Sequence, residues 1–305
     1  AGVGIFDFRQ VVESYVASDN LATTGSSYKS SITNIIPNHP IHLIDKYSKN
    51  TNAMRWLRIE FKTVYTVSGS VIIDTPISSV NYRLFNGYLK YDDVLDLQNI
   101  NFGYDLSQFK LDSDTKSFLT NAPTTQFANL EDYGTVSFLD SSNDLSSIIL
   151  KYYNSSGVQI GTENVSQNVI NGGGFSATQD IQRNMFYFGC FPANLRSYGT
   201  TVGTPTLFQS LVTAGTIQGG HYTFQAFKTV STNFVTQEYR INLNCPNLKG
   251  YESIRLCWLN QWGAWDYYTF TQKSTRNIST KGSTYEQLAG TWNDSSYRAN
   301  GFKGG

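Results

Sequence analysis

SSIILKYYN, residues 146–154, reads as one short β-strand running into the turn Asn154-Ser155-Ser156-Gly157. TVSFL (135–139), MFYFGCF (185–191), HYTFQAFKTV (221–230) and EYRINLNC (238–245) are further short strands. Turn-rich stretches such as Gly172-Gly173-Gly174 separate them. Five short strands at this spacing predict an antiparallel β-sandwich, immunoglobulin-like in the broad sense. This module covers residues 113–248, with its strand-like character starting near Phe118.

Upstream, residues 1–112 read as an N-terminal β module. In FDFRQVVESYV (6–16), Phe8, Val11, Val12, Tyr15 and Val16 fall on one face of a 3.6-residue period. Asp7 followed by Gln10 has capping-box spacing. One short amphipathic helix is therefore expected near 7–17, docked on a sheet. MRWLRIEFKTVYTV (54–67) alternates as a strand, with Met54 and Trp56 in one phase and Leu57, Ile59, Phe61, Tyr65 and Val67 in the other. That change of phase implies a bulge near Trp56–Leu57. VNYRLFNGYLKY (80–91) carries Asn86-Gly87 between apolar runs, the strongest short hairpin signal in the chain. Residues 92–115 are mixed and charged and read as a linker or long loop.

Downstream, residues 249–305 hold a strand at 252–259, a turn through 260–263, a strand at 265–271 and a tail. The fold class that follows is mainly β, with two or more antiparallel β-sandwich modules and the one N-terminal helix. Composition agrees: Asn, Ser and Thr supply 88 of the 305 residues, beside 20 Tyr, 19 Phe and 25 Gly, the chemistry of strands and turns.

Net charge is zero with only 15% charged residues, which argues against a nucleic-acid partner, since that needs a basic face. No run of about 18 apolar residues exists to span a membrane as a helix, and no signal peptide is visible. The chain starts at Ala1 and closes on GFKGG, which fits a processed chain or part of a longer one. Cys190, Cys245 and Cys257 form no CxxC pair and sit in apolar stretches, so buried free thiols are expected, as in a reducing cytosol.

The reactive residue types do not converge in sequence. HPIH (39–42) places His39 near His42, but a metal needs three or four ligands and His221 lies far away. DSDTKS (112–117) has Asp112 and Asp114 of a calcium loop, yet Ser117 stands where its glycine belongs and Pro123 where its glutamate belongs. There is no GxSxG, and no cysteine lies near a histidine. Gly172–Gly174 lacks the lysine and helix of a phosphate loop. The Asn-x-Ser/Thr sequons at Asn154, Asn164, Asn277 and Asn293 are expected by chance at this composition. No catalytic, cofactor or metal residue is assigned.

CWLNQWGAWDYYTF (257–270) gathers six aromatics around one glycine. Ile254, Leu256 and Trp258 share one face, and Arg255, Cys257 and Leu259 the other; Trp265 and Tyr267 alternate with Tyr268 and Phe270. Both faces carry bulk, so a hairpin covered on both sides is expected, in a core or a subunit interface. Trp262 and Trp265, at and just after the turn, are the residues expected to be exposed and to touch a partner.

Several stretches together resemble a family of structural proteins of tailed bacteriophages, closest to phages of marine bacteria and Bacteroidetes. They are GVGIFDFRQVVESYV (2–16) with Gly4-Ile5-Phe6-Asp7, FNGYLKY (85–91), SFLTNAP (117–123), FYFGCFPANL (186–195) and the hairpin with Leu259, Asn260, Gly263, Asp266 and Phe270. The resemblance implies a tail-associated virion component built from β-sandwich modules, without enzymatic activity or cofactor. The expected partners are other copies of the chain and other virion proteins, and the expected location is the virion, assembled in the bacterial cytoplasm. Alternatives are a carbohydrate-binding adhesin or receptor-binding module of a fibre, with Trp262 and Trp265 stacking on host surface glycans, and a head-surface decoration protein.

Overall fold

A computed structural model describes residues 7–16, 46–50, 53–88, 106–109, 111, 116–140, 145–167, 185–195, 206–228, 233–243, 251–282, 284–286 and 301–303. Helix α1 (Arg9–Glu13) is followed by β1 (Lys46–Asn50), β2 (Met54–Leu57), β3 (Glu60–Phe61), β4 (Val64–Val67), β5 (Ser70–Ile73), β6 (Ile77–Ser78) and β7 (Tyr82–Phe85). Next come β8 (Thr125–Phe127), β9 (Thr135–Phe138), β10 (Ser147–Tyr153), β11 (Gln159–Gln167) and β12 (Met185–Gly189). Helices α2 (Pro192–Leu195) and α3 (Leu207–Thr213) precede β13 (His221–Lys228), β14 (Asn233–Phe234) and β15 (Tyr239–Asn242). The last strands are β16 (Ile254–Leu259), β17 (Trp265–Phe270), β18 (Thr284–Glu286) and β19 (Gly301–Lys303). The fold is mainly β.

One sheet of nine strands runs β8-β15-β13-β10-β11-β1-β12-β9, with β14 beside β13. Its pairs are antiparallel except β1 with β11 and β15 with β8. Strand β1, which the sequence places in the first module, lies between β11 and β12. Ser147–Tyr153 alternates half-buried and buried, putting Ile148, Leu150 and Tyr152 into the interior. All five residues of β12 are buried, as a strand covered on both faces requires.

The sheet curls over one core. Phe188 of β12 meets Phe224 of β13 with ring centroids 6.1 Å apart, although three strands separate them in the sheet order. Tyr222 Oη donates to the Cys190 carbonyl at 2.7 Å across the same interior. Phe118 bridges Phe138, Phe224 and Tyr239. Helix α3 closes one end with the buried Phe208 against Tyr152 and Tyr222; Thr206 caps it, its hydroxyl accepting from Gln209 N at 3.1 Å.

The N-terminal expectations need correction. The helix is five residues long, begins after Phe8, and has no side-chain cap from Asp7. Val11 and Tyr15 are exposed while Val16 is buried, so the apolar face does not dock as a unit. Residues 54–67 break into three strands with two irregularities: just after Leu57, three steps to Glu60 oppose four from Ser78 to Tyr82, and from Phe61 to Val64 three steps oppose four from Ile73 to Ile77. Asn86-Gly87 is not a hairpin tip. Tyr82–Phe85 pairs instead with Met54–Leu57, and Ser68-Gly69, both at positive φ, makes the turn. His39, His42, Asp112, Asp114, Cys245, Gly172–Gly174 and Asn293 lie outside the described residues. Cys190 is a buried free thiol, as expected, whereas Cys257 is exposed.

Candidate functional site

Strands β16 and β17 pair antiparallel from Ile254↔Phe270 to Leu259↔Trp265. Cross-strand partners share a face, so Arg255, Cys257, Leu259, Trp265, Tyr267 and Thr269 form one side. That side packs on the curled sheet: Tyr267 belongs to the main core and Trp265 packs against it. The other side carries Ile254, Leu256, Trp258, Asp266, Tyr268 and Phe270. Leu256 and Phe270 on this side and Cys257 and Leu259 on the other are exposed, whereas Asp266, Tyr267 and Thr269 are buried, so β17 is the better covered strand and β16 the more open one. The expectation of two covered faces holds for β17, with Tyr267 and Thr269 buried on one face and Asp266 on the other, and not for Leu256, Leu259 and Phe270, which are exposed.

The turn between these strands is the most tightly held part of the hairpin. Asn260 Oδ1 accepts from Trp262 N at 3.0 Å and Ala264 N at 3.1 Å, while its Nδ2 donates to the Leu119 carbonyl at 2.8 Å. Gly263 adopts φ +69, a left-handed conformation that glycine takes without strain. A Cβ there would collide with the backbone of Asn86, and one on Gly87 would collide with the Gln261 carbonyl. Tyr88 N donates to that carbonyl at 2.9 Å. The Asn-Gly step predicted as a hairpin tip is instead a bare strip of backbone that admits the second turn.

Trp262 is only 5% exposed, which overturns the expectation of an exposed side chain. Its ring lies 4.5 Å from that of Phe109 at 62°, in a second core with Met54, Leu119, Leu139 and Met185. Trp265 is half-buried. Neither ring stands free at a turn tip as a stacking platform would require.

Two charged residues complete the anchorage. Asp266 is buried and accepts from Thr120 Oγ1 at 2.6 Å and Asn121 N at 2.8 Å. Burial raises its carboxyl above the ordinary range, and those hydrogen bonds oppose the rise. Arg255 donates through Nε and Nη2 to the Tyr133 carbonyl at 3.2 and 2.6 Å and through Nη1 to Thr269 Oγ1 at 2.9 Å. Asp132 lies 3.6 Å away, and the guanidinium sits 4.3 Å from the centre of the Phe191 ring. Burial lowers the Arg255 pKa, while Asp132 acts the other way. Sequence reading singled out Asp266 only as a family marker and gave Arg255 no role, because Thr120 and Asn121, which hold the one, and Tyr133, which holds the other, lie more than 100 residues away.

The segments at 85–91, 117–123 and 186–195 therefore meet the hairpin at one corner, through Gly87, Thr120 and Phe191. Beneath the hairpin, a cavity of about 20 Å³ is lined by Thr120, Gln126, Cys190, Tyr239, Asp266 and Tyr267. That is room for about one water molecule. Among the described residues no group of His, Cys, Asp and Glu is placed to hold a metal ion, and no helix is long and apolar enough to cross a membrane. His221 stacks on Tyr153 at 4.6 Å.

No family model, curated protein or solved structure matches the chain.

The second surface is an arm. Pairs β2–β7, β3–β6 and β4–β5 nest into one two-stranded ribbon from Met54 and Phe85 out to Ser68-Gly69. The outgoing leg, 54–67, has fourteen residues and the return leg, 70–85, sixteen; at about 3.3 Å per residue the shorter leg gives a reach of roughly 45 Å. At its root Arg83 lies over the Trp56 ring at 5.0 Å, and Arg58 donates to Ser78 Oγ at 2.7 Å. Beyond Lys62 the outer strands, residues 64–73, carry no charge, and every one of these residues is exposed. The sequence signal for this arm was present in Ser68-Gly69 between two uncharged, β-branched runs.

Proposed function

We propose that this chain is a non-enzymatic structural component of a tailed-bacteriophage virion, tail-associated and present in many copies. The observation that carries this reading is the arm: an isolated two-stranded ribbon is at best marginally stable in water, and this one displays apolar side chains along its length. Such an element is completed by neighbours in an assembly. The sequence resemblance points the same way, and three of its segments interlock at one corner with the hairpin. On this reading the curled nine-stranded sheet is a β-sandwich of the broad immunoglobulin-like class, serving as the body that holds hairpin and arm. Its partners are other copies of itself and other virion proteins.

Recognition by strand edges and apolar faces, with no bond made or broken, is the mechanism this reading implies. The test is mass spectrometry of purified phage particles with immunogold electron microscopy. Label on the tail supports the proposal, and absence of the chain from particles overturns it. The adhesin alternative loses Trp262 as a stacking residue, since that ring is packed against Phe109.

A further inference from the structure

We propose that β16 is a strand edge through which two copies join: the β16 strands of two copies pair antiparallel about a two-fold axis at Cys257, and the two hairpins become one four-stranded sheet. This inference rests on the reading of the chain as a multi-copy structural protein and names one contact between copies.

Strand β17 lies against β8 and β9 of the body, and among the described residues β16 pairs with β17 alone. The phase of that ladder decides which backbone groups of β16 are already used. Asn260 N donates to the Ala264 carbonyl at 2.8 Å at the turn, and the register runs unshifted from Leu259↔Trp265 back to Ile254↔Phe270. Hydrogen-bonded and non-bonded pairs alternate along an antiparallel ladder. Ile254, Leu256 and Trp258 therefore aim their N–H and C=O groups at β17, and Arg255, Cys257 and Leu259 aim theirs outward. Among the described residues nothing bonds those outward groups. Edge strands are ordinarily guarded by a lysine, a proline, a bulge or a cover. Ile254–Leu259 has no lysine, proline or bulge, and Leu256, Cys257 and Leu259 are exposed. Its one charge is no guard either, because the Arg255 guanidinium is turned onto Tyr133, Thr269 and Phe191.

The occupant follows from phase, side chains and charge taken together. A two-fold axis at Cys257 sets Cys257 opposite Cys257 of the second copy and Arg255 opposite Leu259, in both directions. Each of these pairs joins outward residues, so every outward N–H and C=O of both strands finds a partner. An axis between Leu256 and Cys257 would set outward groups against inward ones, and an axis one residue to either side of Cys257 would leave only two of the three pairs within the strand. The same register suits the side chains. The smallest residue of the strand, Cys257, stands on the axis, exposed Leu256 lies beside Trp258 of the second copy, and exposed Leu259 lies along the Arg255 stem. The two Arg255 residues stand four positions apart, about 13 Å, so no like charges oppose each other. An apolar edge without an outward charge thus takes an apolar strand without one, and β16 is such a strand, present in every copy. The contact is isologous and closes at two copies.

The test uses the full chain in solution. Sedimentation velocity under reducing conditions is expected to show a reversible dimer at micromolar concentrations and above, and Leu256→Lys is expected to weaken it by at least about tenfold. Amide exchange followed by NMR reads the same edge without a variant. The N–H groups of Cys257 and Leu259 should gain at least about tenfold protection as the dimer fills, whereas those of Leu256 and Trp258 are protected already in the monomer. A chain that stays monomeric at its highest soluble concentration overturns the proposal and leaves the edge to a strand of another protein. A Leu256→Lys chain that associates as well as the parent overturns it too. So do Cys257 and Leu259 amides as protected in the monomer as in the dimer, which would mean that the chain covers its own edge. The axis is read by Cys257, since the Cα atoms of a hydrogen-bonded antiparallel pair lie about 5.5 Å apart, within disulfide reach. Mild oxidation of the Cys245→Ser chain with diamide should link Cys257 to Cys257; a dimer that gives no such link has another axis, and the proposal fails. A chain found in virions that does not pair through β16 loses this inference and keeps the functional reading.

Discussion

Gly87 lies against the backbone of Gln261, so closely that a Cβ on Gly87 would stand 2.8 Å from the Gln261 carbonyl carbon and closer still to its oxygen. Residues 174 positions apart are thus joined main chain to main chain, with Tyr88 N closing the contact on the same carbonyl at 2.9 Å. This contact fixes the root of the arm to the turn of the aromatic hairpin.

Gly87→Ala should therefore destabilise the fold by about 1–3 kcal/mol, because both colliding groups are backbone and neither can rotate away. Gly69→Ala is the control: at φ +83 with nothing within 4 Å, it meets only the left-handed strain of about 1 kcal/mol. Urea unfolding of the two variants and the parent measures this. Equal effects at both sites would show that steric contact at Gly87 is not what matters.

Asn260→Ala removes the partner of three backbone groups at once, the Leu119 carbonyl and the amides of Trp262 and Ala264. Buried groups left unpaired cost about 1–3 kcal/mol each, partly relieved by relaxation, so a loss of about 2–4 kcal/mol is expected. Asn277→Ala, at an exposed position, should stay within about 0.5 kcal/mol of the parent. Denaturation midpoints that fall together would contradict the role given to Asn260.

Arg255→Lys tests geometry against charge. The guanidinium forks onto the Tyr133 carbonyl, reaches Thr269 and lies over Phe191, contacts that a single ammonium cannot make together. A cost of about 2 kcal/mol is expected even though the charge is kept. Full stability in the lysine variant would mean that only the ion pair with Asp132 counts.

What the sequence made legible is what depends on short-range periodicity. SIILKYY alternates and is a half-buried strand; MFYFG does not alternate and is buried throughout. The hairpin at 254–270 was readable for the same reason. Misread features are those in which one residue type serves two purposes. Asn86-Gly87 satisfies the rule for a hairpin tip, but the missing Cβ is used here for close approach. Trp262 sits in a turn, and turns ordinarily face water; this one is covered by Phe109 and Leu119, from segments more than 140 residues away. The hydrogen bonds of Asp266 and Arg255 were out of reach on the same ground, since local pattern carries no information on which distant backbone they meet.

Asp266 gives the corner a pH signature. Burial raises its carboxyl above the ordinary 3.8, so between 3.8 and the folded value the native chain holds a proton that the unfolded chain has released. Its contribution to stability is then fully present below the ordinary value and is lost as pH rises through the folded one. Asp266→Asn removes this titration and leaves every other group in place. The stability of the parent minus that of the variant should fall with rising pH from about 4 upward, by at most about 1.4 kcal/mol per pH unit, and then level off. Urea midpoints of both proteins at pH 4, 5, 6 and 7 measure the difference, in which Glu163 and other carboxyls cancel. A difference that is flat or grows with pH would show that the bonds from Thr120 and Asn121 outweigh burial and hold Asp266 charged at no cost.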